Sequence, residues 1–262
     1  MAARPDDKVL VTGGTRGIGR EVARCLVQRG AAVALVGTQT RQAEEVAQEL
    51  TRLGPGRAYG IGCVIDGREE TGKRLVSEAL DRMQGITGLL NAAGGATVAR
   101  ALELSWDAWQ ADFNVKFWGY FSLIRAAAPI LKTTGGVIVN IVGVAGRDPN
   151  PRLAAGTAIN GALRGLTKSL ADDLAPSGIR IINVNPGATE TDLMSQMAKG
   201  YARLNHTTED TVLSQMRAGA PLGRLPTARD IAQAVLFLMS DNAALITGTS
   251  LDIDGGVHRG LA

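Results

Sequence analysis

The sequence predicts a single α/β domain in which a parallel β-sheet is covered by helices on both faces. Two observations lead to this fold class. Short apolar runs of strand length alternate with segments of helical periodicity along the whole chain. The first of these runs, residues 9–11, leads through a glycine-rich turn directly into a helix. Alternation of this kind requires right-handed crossovers that pack on both sides of the sheet.

Each expected element follows from its local pattern of apolar residues. Seven strands are expected, at 9–11, 32–36, 59–64, 89–92, 136–142, 180–185 and near 250–253. Helices are expected to begin near Ile18 and to cover 42–53, 69–83, 106–132 and 230–239. A further helix carries an apolar stripe and is ended by Pro176 and Gly178; the stripe consists of Ile159, Leu163, Leu166, Leu170 and Leu174.

Composition and charge exclude several classes of function. The 262 residues contain no linker, repeat or low-complexity tract, so one domain is expected over 1–262. The net charge of +3 comes from scattered Lys and Arg without a basic run, which argues against nucleic acid and a membrane as partners. The start has no apolar leader core, and no apolar stretch is long enough to span a bilayer.

The cysteine content predicts neither a disulfide framework nor a metal site. Only Cys25 and Cys63 are present, one expected in a helix and one in a strand. We therefore expect a protein of the reducing cytoplasm without a bound metal.

The glycine-rich turn after the first strand predicts a phosphate site. Gly13, Gly17 and Gly19 lack the Cβ atoms that would hold a ligand away from the backbone, and the following helix offers its positive N-terminus. A nucleotide-triphosphate loop would continue with Lys and then Ser or Thr, whereas Arg20 and Glu21 follow here. The turn thus favours a dinucleotide, with an ordinary tight turn as the alternative.

The end of the second strand predicts which dinucleotide is bound. Thr38 stands close to where an acidic residue would bind an adenosine ribose hydroxyl, and Arg16 lies in the phosphate turn. A 2′-phosphate would be attracted by Arg16, with Thr38 or Arg41 as further contacts, so NADP(H) is favoured over NAD(H). The alternative is that Arg16 is only a solvated turn residue.

Between residues 9 and 256 the chain resembles the short-chain dehydrogenase/reductase family. Six motifs carry this resemblance: TGGTRGIG at 12–19, NAAG at 91–94, Asn114, NVNPG at 183–187, TD at 191–192, and ITG at 246–248 leading to DGG at 254–256. The resemblance implies one Rossmann-like domain with strand order 3-2-1-4-5-6-7, and an oxidoreductase acting on a small molecule. It also implies a homo-oligomer, either dimer or tetramer, formed through the helices at 106–132 and 153–175, and a substrate-covering segment at 193–221.

The turn and the resemblance together imply a set of cofactor contacts. These are Gly13, Thr15, Arg16, Gly17, Ile18, Gly19, Thr38, Asn91, Ala92, Gly94, Asn160, Pro186, Gly187, Thr189 and Thr191. In the family the backbone after the Pro186 position meets the nicotinamide carboxamide, and the Thr191 position adds a hydroxyl. The family also ends its third strand with an Asp that meets the adenine. Here Val64 occupies that position, and Asp66 follows two residues later.

The residues that perform the family's chemistry are replaced in this sequence. The family uses a Ser, a Tyr that donates the proton, a Lys four residues beyond the Tyr, and an Asn. The matching positions hold Gly143, Gly156 and Asn160, and only Asn114 of the four remains. The glycines either allow close helix packing or open space for a bulky substrate group. Five residues are candidates for a replacement acid, and each is expected at the surface: Lys116, Asp148, Thr157, Tyr201 and His206.

Two classes of function are therefore compatible with the sequence. One is an NADP(H)-dependent oxidoreductase with an atypical site, acting on an imine or a conjugated alkene because these need little proton donation. The other is a catalytically inactive relative that binds the cofactor as a structural subunit or sensor. A non-redox cyclisation or lyase reaction in the emptied cavity is a third possibility without positive support.

Overall fold

The computed structural model describes residues 6–95 and 97–259, which form one α/β domain around a seven-stranded parallel sheet. The strand order is β3-β2-β1-β4-β5-β6-β7, as expected. The strands are β1 (Lys8–Thr12), β2 (Ala32–Gly37), β3 (Arg57–Gly62), β4 (Gly88–Asn91), β5 (Gly136–Ile141), β6 (Ile179–Pro186) and β7 (Ser250–Ile253).

Helices cover both faces of this sheet. They are α1 (Gly17–Val27), α2 (Thr40–Thr51), α3 (Glu69–Met83), α4 (Trp106–Phe113), α5 (Gly119–Thr134), α6 (Ala154–Leu174), α7 (Asp192–Leu204), α8 (Glu209–Gly219) and α9 (Ala228–Met239). One apolar core lies between the sheet and α1, α2 and α9, and a second lies between the sheet and α3, α5 and α6. The prediction of helices on both faces is confirmed.

The expected long helix at 106–132 is interrupted by a π-helical turn. Helix α4 ends at Phe113, the chain forms a π-helical turn over Asn114–Trp118, and α5 begins at Gly119. A π turn adds a residue to the helix, so it changes the direction in which the following side chains point. Such turns are frequent at functional sites.

A row of polar side chains crosses the centre of the sheet. Asn91, Asn140, Asn183 and Ser250 are directly opposite one another on β4, β5, β6 and β7. Asn91 Nδ2 donates to Asn140 Oδ1 over 2.9 Å, and Asn140 Nδ2 donates to Asn183 Oδ1 over 3.3 Å. Thr167 of α6 donates to Asn183 Oδ1 over 2.7 Å. These buried hydrogen bonds hold the strands in one register, although the remaining amide oxygen of the row, Asn91 Oδ1, has no partner among the described residues.

The third strand ends two residues earlier than the sequence suggested. It pairs with β2 only as far as Gly62, opposite Gly37, and the apolar residues after it leave the sheet because β2 also ends there. Cys63 therefore follows the strand instead of lying in it, and Val64 is 65% exposed. Both cysteines are buried free thiols.

Two expectations concern the start of the chain and helices that could span a membrane. The start, where no leader core is expected, lies in part outside the described residues, because the description begins at residue 6. Within the described residues no helix is long and apolar enough to cross a membrane.

Removal of the central amide of the polar row should destabilise the fold. Asn140→Ala takes a partner from Asn91, Asn183 and Thr167 at once, and each buried polar group left unpaired costs about 1–3 kcal/mol. We expect the free energy of unfolding in urea to fall by about 2–4 kcal/mol. The exposed Asn242→Ala variant is the control and should change it by less than about 0.5 kcal/mol. Equal stabilities of the two variants would contradict a structural role for the row.

Candidate active site

The glycine-rich turn lies at the point where the sheet's strand order reverses. Strands β2 and β4 flank β1 on opposite sides, and such switch points form the ligand crevice of open parallel sheets. Gly13 has φ +63°, and a Cβ there would come within 2.7 Å of Ala92 O. A Cβ at Gly19 would collide with Gly13 O. The turn thus packs backbone against backbone and can only be built with glycine.

Helix α1 begins at this turn with its first amides facing the crevice. Arg16 is the N-cap residue, its backbone is extended, and its side chain does not cap the helix. The uncapped amide groups and the positive end of the helix dipole make the N-terminus suited to an anion. Gly17, with φ +55°, and Ile18 form the first helical residues.

The phosphate turn and the end of β2 lie side by side. A Cβ at Gly37 would collide with Thr15 Cγ2, so Thr15 packs directly on the last residue of β2. Arg16 and Thr38, which follow these two residues, are both exposed on this edge. Arg41 forms an exposed hydrogen bond with Glu45 over 2.8 Å. The region contains no carboxylate at residues 37–39.

The end of β4 is fixed to the turn by one hydroxyl group. Thr12 Oγ1 accepts hydrogen bonds from Ala92 N over 3.0 Å and from Ala93 N over 3.2 Å. Asn91 is fully buried, and its side chain belongs to the polar row of the sheet. Gly94 has φ +111° and is exposed in the crevice, where side chains of other residues would be strained.

The end of β6 lies across the crevice from the phosphate turn. Pro186 is its last residue, and a Cβ at Gly187 would meet Asp254 at 2.8 Å. Thr189 is buried, with its hydroxyl donating to Gly187 O over 3.0 Å. Thr191 caps α7 by accepting from Met194 N, and its methyl group lies 3.7 Å from the Cβ position of Gly17. Both sides of the crevice therefore meet near Thr191.

The expected adenine position is open to solvent. Val64 is exposed beyond β3, and Asp66 Oδ1 accepts from Arg68 N over 3.1 Å instead of facing the crevice as a strand-end carboxylate. The sequence placed Val64 at the strand end, and the earlier end of β3 corrects this.

The three positions predicted to replace the catalytic residues are grouped beside β5. Gly143 follows β5 with φ +120°, and a Cβ there would lie 3.0 Å from Asn160 Nδ2 and 3.9 Å from Pro186 O. Gly156 is buried in the first turn of α6, one turn before Asn160. Asn160 is only 4% exposed. A serine at position 143 would be strained in this backbone conformation.

A lysine from the opposite helix completes this group. Lys116, in the π-helical turn, donates from Nζ to Asn160 Oδ1 over 2.8 Å and to Val142 O over 2.5 Å. It is only 9% exposed, so the expectation of a surface residue is wrong. Burial lowers the pKa of Lys116 to about 8, although the negative charge of Asp112 acts in the other direction.

The contact to Asn160 is made by Lys116, one of the five candidate acids, and not by Asn114, the catalytic residue expected to remain. Asn114 is exposed, and its backbone carbonyl lies against Gly67, where a Cβ would come within 2.7 Å. The sequence contained one signal for Lys116, because it is the only charged residue in the otherwise apolar run 115–121. That signal is weak without knowledge of the direction in which the lysine points.

The other four acid candidates differ in their surroundings. Asp148 and His206 are exposed, as expected. Thr157 is half-buried, and its hydroxyl accepts from Asn150 N over 3.2 Å. Tyr201 is 7% exposed, so the surface expectation is wrong for it too. Its hydroxyl accepts from Asn150 Nδ2 over 3.1 Å, and burial raises the pKa of its phenol.

A mainly apolar cavity of about 370 Å³ lies next to the grouped residues. It starts at Val144, directly after Gly143, and reaches under α7 and α8. Its lining includes Gly187, Ala188, Tyr201, Met216 and Val257. Small-molecule sites commonly have this size and apolar character. Among the described residues no group of three or more His, Cys, Asp or Glu side chains could hold a metal ion.

Comparison with known proteins gives consistent matches over nearly the whole chain. A family model described as enoyl-(acyl carrier protein) reductase matches residues 13–258. The chain is 34% identical over 253 residues to 2-(S)-hydroxypropyl-CoM dehydrogenase 3 of Xanthobacter autotrophicus, covering 96% of each chain. It is 31% identical over 249 residues to the 3-oxoacyl-(acyl-carrier-protein) reductase of Aquifex aeolicus, covering 95% of this chain and 96% of the other.

A solved structure shows the same fold. A 7α-hydroxysteroid dehydrogenase, in complex with NADH and 7-oxo glycochenodeoxycholic acid, superposes with a TM-score of 0.87 and is 27% identical in sequence. The match covers 97% of this chain and 95% of the other. The chain therefore belongs to the short-chain dehydrogenase/reductase family of oxidoreductases.

Proposed function

We propose that this protein is an NADP(H)-dependent reductase of a conjugated alkene, with an atypical active site that lacks the family's Ser, Tyr and Lys. The observation that carries the proposal is the buried ammonium group of Lys116, whose acceptor Val142 lies two residues from Val144 in the wall of an apolar cavity. The inactive alternative, a cofactor-binding subunit or sensor, would not need a buried ammonium group beside that cavity. Burial of a charge without a function is costly, so the lysine favours an enzyme.

The crevice fits a dinucleotide on three observations. The backbone cradle of Gly13 and Gly19 has no room for a Cβ, the N-terminus of α1 is uncapped, and no carboxylate stands where a 2′-phosphate would lie. The backbone of residues 13–19 would hold the pyrophosphate, and Arg16 with Thr38 would hold the 2′-phosphate. Gly94, Pro186, Gly187, Thr189 and Thr191 would surround the nicotinamide half. A reduced nicotinamide supplies a hydride.

The segment 193–221 would cover the substrate. Helices α7 and α8 pack on each other through Met194, Ala198, Tyr201 and Val212, and they form the outer wall of the cavity. Closing a cavity in this way excludes water from the reacting groups and strengthens the electrostatic interactions inside.

The charge beside the cavity separates the two substrate classes that the sequence left open. A cationic imine would have to approach the ammonium group of Lys116, and the two like charges would repel each other. Reduction of a conjugated alkene instead places negative charge on the carbonyl oxygen, which an ammonium group stabilises. The conjugated alkene is therefore the favoured substrate class.

We also propose a dimer or tetramer in the reducing cytoplasm. The two buried free thiols fit a reducing compartment.

Two tryptophans on the α4 and α5 side, Trp106 and Trp118, are 73% and 46% exposed, which favours their burial against another copy of the chain. A monomer in light scattering at micromolar concentration would contradict the oligomer.

NADPH should bind more tightly than NADH, and Arg16 should cause the difference. We expect Arg16→Ala to weaken NADPH binding by about tenfold, or about 1.4 kcal/mol, and to leave NADH binding nearly unchanged. Fluorescence titration of both cofactors measures this. Arg52→Ala, at the far end of α2, is the control and should alter neither affinity. Equal affinities of the parent protein for both cofactors would contradict the assignment.

Hydride transfer to a panel of substrates tests the proposed reaction. The panel contains a cyclic enone, a ketone and a cyclic imine, each incubated with NADPH deuterated on the transferring carbon. We expect deuterium in the reduced enone and the slowest transfer to the imine. Transfer only to the imine would contradict the substrate class, and transfer to none of the three would favour the inactive alternative.

A further inference from the structure

We propose that Lys116 is the proton donor of this site. It would act from the π-helical turn in place of the family's Tyr, which belongs to helix α6. This proposal rests on the proposed reductase function and identifies the residue that supplies the proton for that reaction. The family places an asparagine on the α4 side and a lysine on α6. Here Asn114 keeps the asparagine, but the side chain that reaches α6 from the α4 side is Lys116, which meets Asn160 over 2.8 Å.

The position of Lys116 is defined by contacts on each side. A Cβ at Gly94 would lie 3.3 Å from Lys116 Cβ, so the stem of the lysine lies against the end of β4. Its Nζ reaches Val142 O at the end of β5 and Asn160 Oδ1 on α6. A lysine ammonium has three N–H groups, and these two acceptors occupy two of them. Under this proposal the third donates to a substrate oxygen.

The ammonium is bound two residues along the chain from the wall of the cavity. Val142 accepts its hydrogen bond, and Val144, two residues further along the chain, lines the cavity. Gly143 stands between them and lies 3.9 Å from Pro186 O, measured from its Cβ position. The absence of a side chain at Gly143 lets Asn160 approach β5, because a Cβ there would lie 3.0 Å from Asn160 Nδ2.

Burial, not a nearby charge, brings the pKa of Lys116 close to neutral pH. Its neighbours from β5, α6 and the end of β4 are Val142, Asn160 and Gly94, which carry no charge. Asp112 on α4 is the charge that acts on it, and that carboxylate is also bound by Thr97 N over 2.9 Å. Desolvation outweighs this attraction, and the pKa is lowered to about 8. A general acid works best when its pKa is close to the working pH.

Lys116 gives its proton to the enolate that hydride transfer forms. After a hydride has formed the new C–H bond at the β-carbon of an enone, the electron pair of the C=C bond forms an enolate with negative charge on oxygen. The N–H bond at Lys116 Nζ breaks, the proton binds this oxygen, and the electron pair stays on the nitrogen. The enol becomes a ketone in water, and solvent returns a proton to the amine. The same step would convert the alkoxide of a reduced ketone into an alcohol, so simple ketones fall within the predicted substrate range.

Two substitutions separate the proton of Lys116 from its charge. Lys116→Met keeps most of the stem and removes the proton, and Lys116→Arg keeps a charge that cannot be given up at neutral pH. We expect both to lower kcat by about 10²- to 10⁴-fold, the usual contribution of a general acid. The kcat of the parent should fall as pH rises through about 8, because the acid form is lost, and the variants should lack this decrease. Lys132→Met, an exposed lysine on α5, should change nothing.

A titration without cofactor or substrate tests the same group independently of activity. The Nζ resonance of Lys116, identified by its loss in Lys116→Met, is followed by NMR against pH. We expect a midpoint at least one unit below the roughly 10.4 of an ordinary lysine. An ordinary midpoint, or full activity in Lys116→Arg, would overturn the proposal. A decrease in rate above pH 8 that disappears in Tyr201→Phe and persists in Lys116→Met would also overturn it. A parent protein that reduces no member of the panel contradicts the proposed function, whereas an ordinary titration contradicts the Lys116 assignment alone.

Discussion

The buried contact between Lys116 and Asn160 is the interaction on which the architecture of this site depends. An ammonium group removed from water is stable only where oxygen atoms replace its solvation, and here a backbone carbonyl and an amide oxygen do so. Three local features make this contact possible. The π-helical turn directs the lysine inward, Gly94 leaves room for its stem, and Gly143 leaves room for Asn160.

The same contact connects the fold to the proposed chemistry. The polar row through Asn91, Asn140 and Asn183 fixes β4, β5 and β6 relative to one another, so the strand ends that surround Lys116 are held in place. The cofactor cradle stands on the neighbouring strand β1 and is joined to β4 by Thr12. A rigid sheet thus positions the dinucleotide crevice, the ammonium group and the apolar cavity relative to one another. Preorganised charge of this kind stabilises the charge that develops during a reaction.

Much of the fold could be predicted from the sequence because the periodic signals were strong. The seven strands, their order and the helices on both faces all followed from apolar runs and from the family resemblance. The bounds of α3 at Glu69–Met83 were predicted correctly, because its apolar spacing is unambiguous. The end of β3 was predicted wrongly, because the apolar run at 61–65 continues beyond the point where the partner strand β2 stops. Strand ends depend on the partner, which no local pattern reveals.

The site was predictable only where the backbone decides the geometry. The glycine turn is defined by its own residues, and Gly13, Gly17 and Gly19 lie where the strand order of the sheet reverses. Lys116 was expected at the surface, whereas the π-helical turn over Asn114–Trp118 brings it inward to Asn160. Each helical residue advances by about 100° around the axis, so one extra residue in a π turn redirects all side chains that follow it. The sequence therefore offered Lys116 only as one of five candidate acids, and kept Asn114 as the family's remaining catalytic residue.

A reciprocal exchange of the two side chains tests the central claim most directly. Lys116→Asn, Asn160→Lys and the double variant are compared with the parent by urea unfolding. The first single variant removes the ammonium group, and the second places two ammonium groups together in a buried site, so both should lose stability. The double variant again pairs one amide with one ammonium, and we predict that it regains at least about 1 kcal/mol over the sum of the single effects. Single effects that add within about 0.5 kcal/mol would contradict a direct interaction between the two residues.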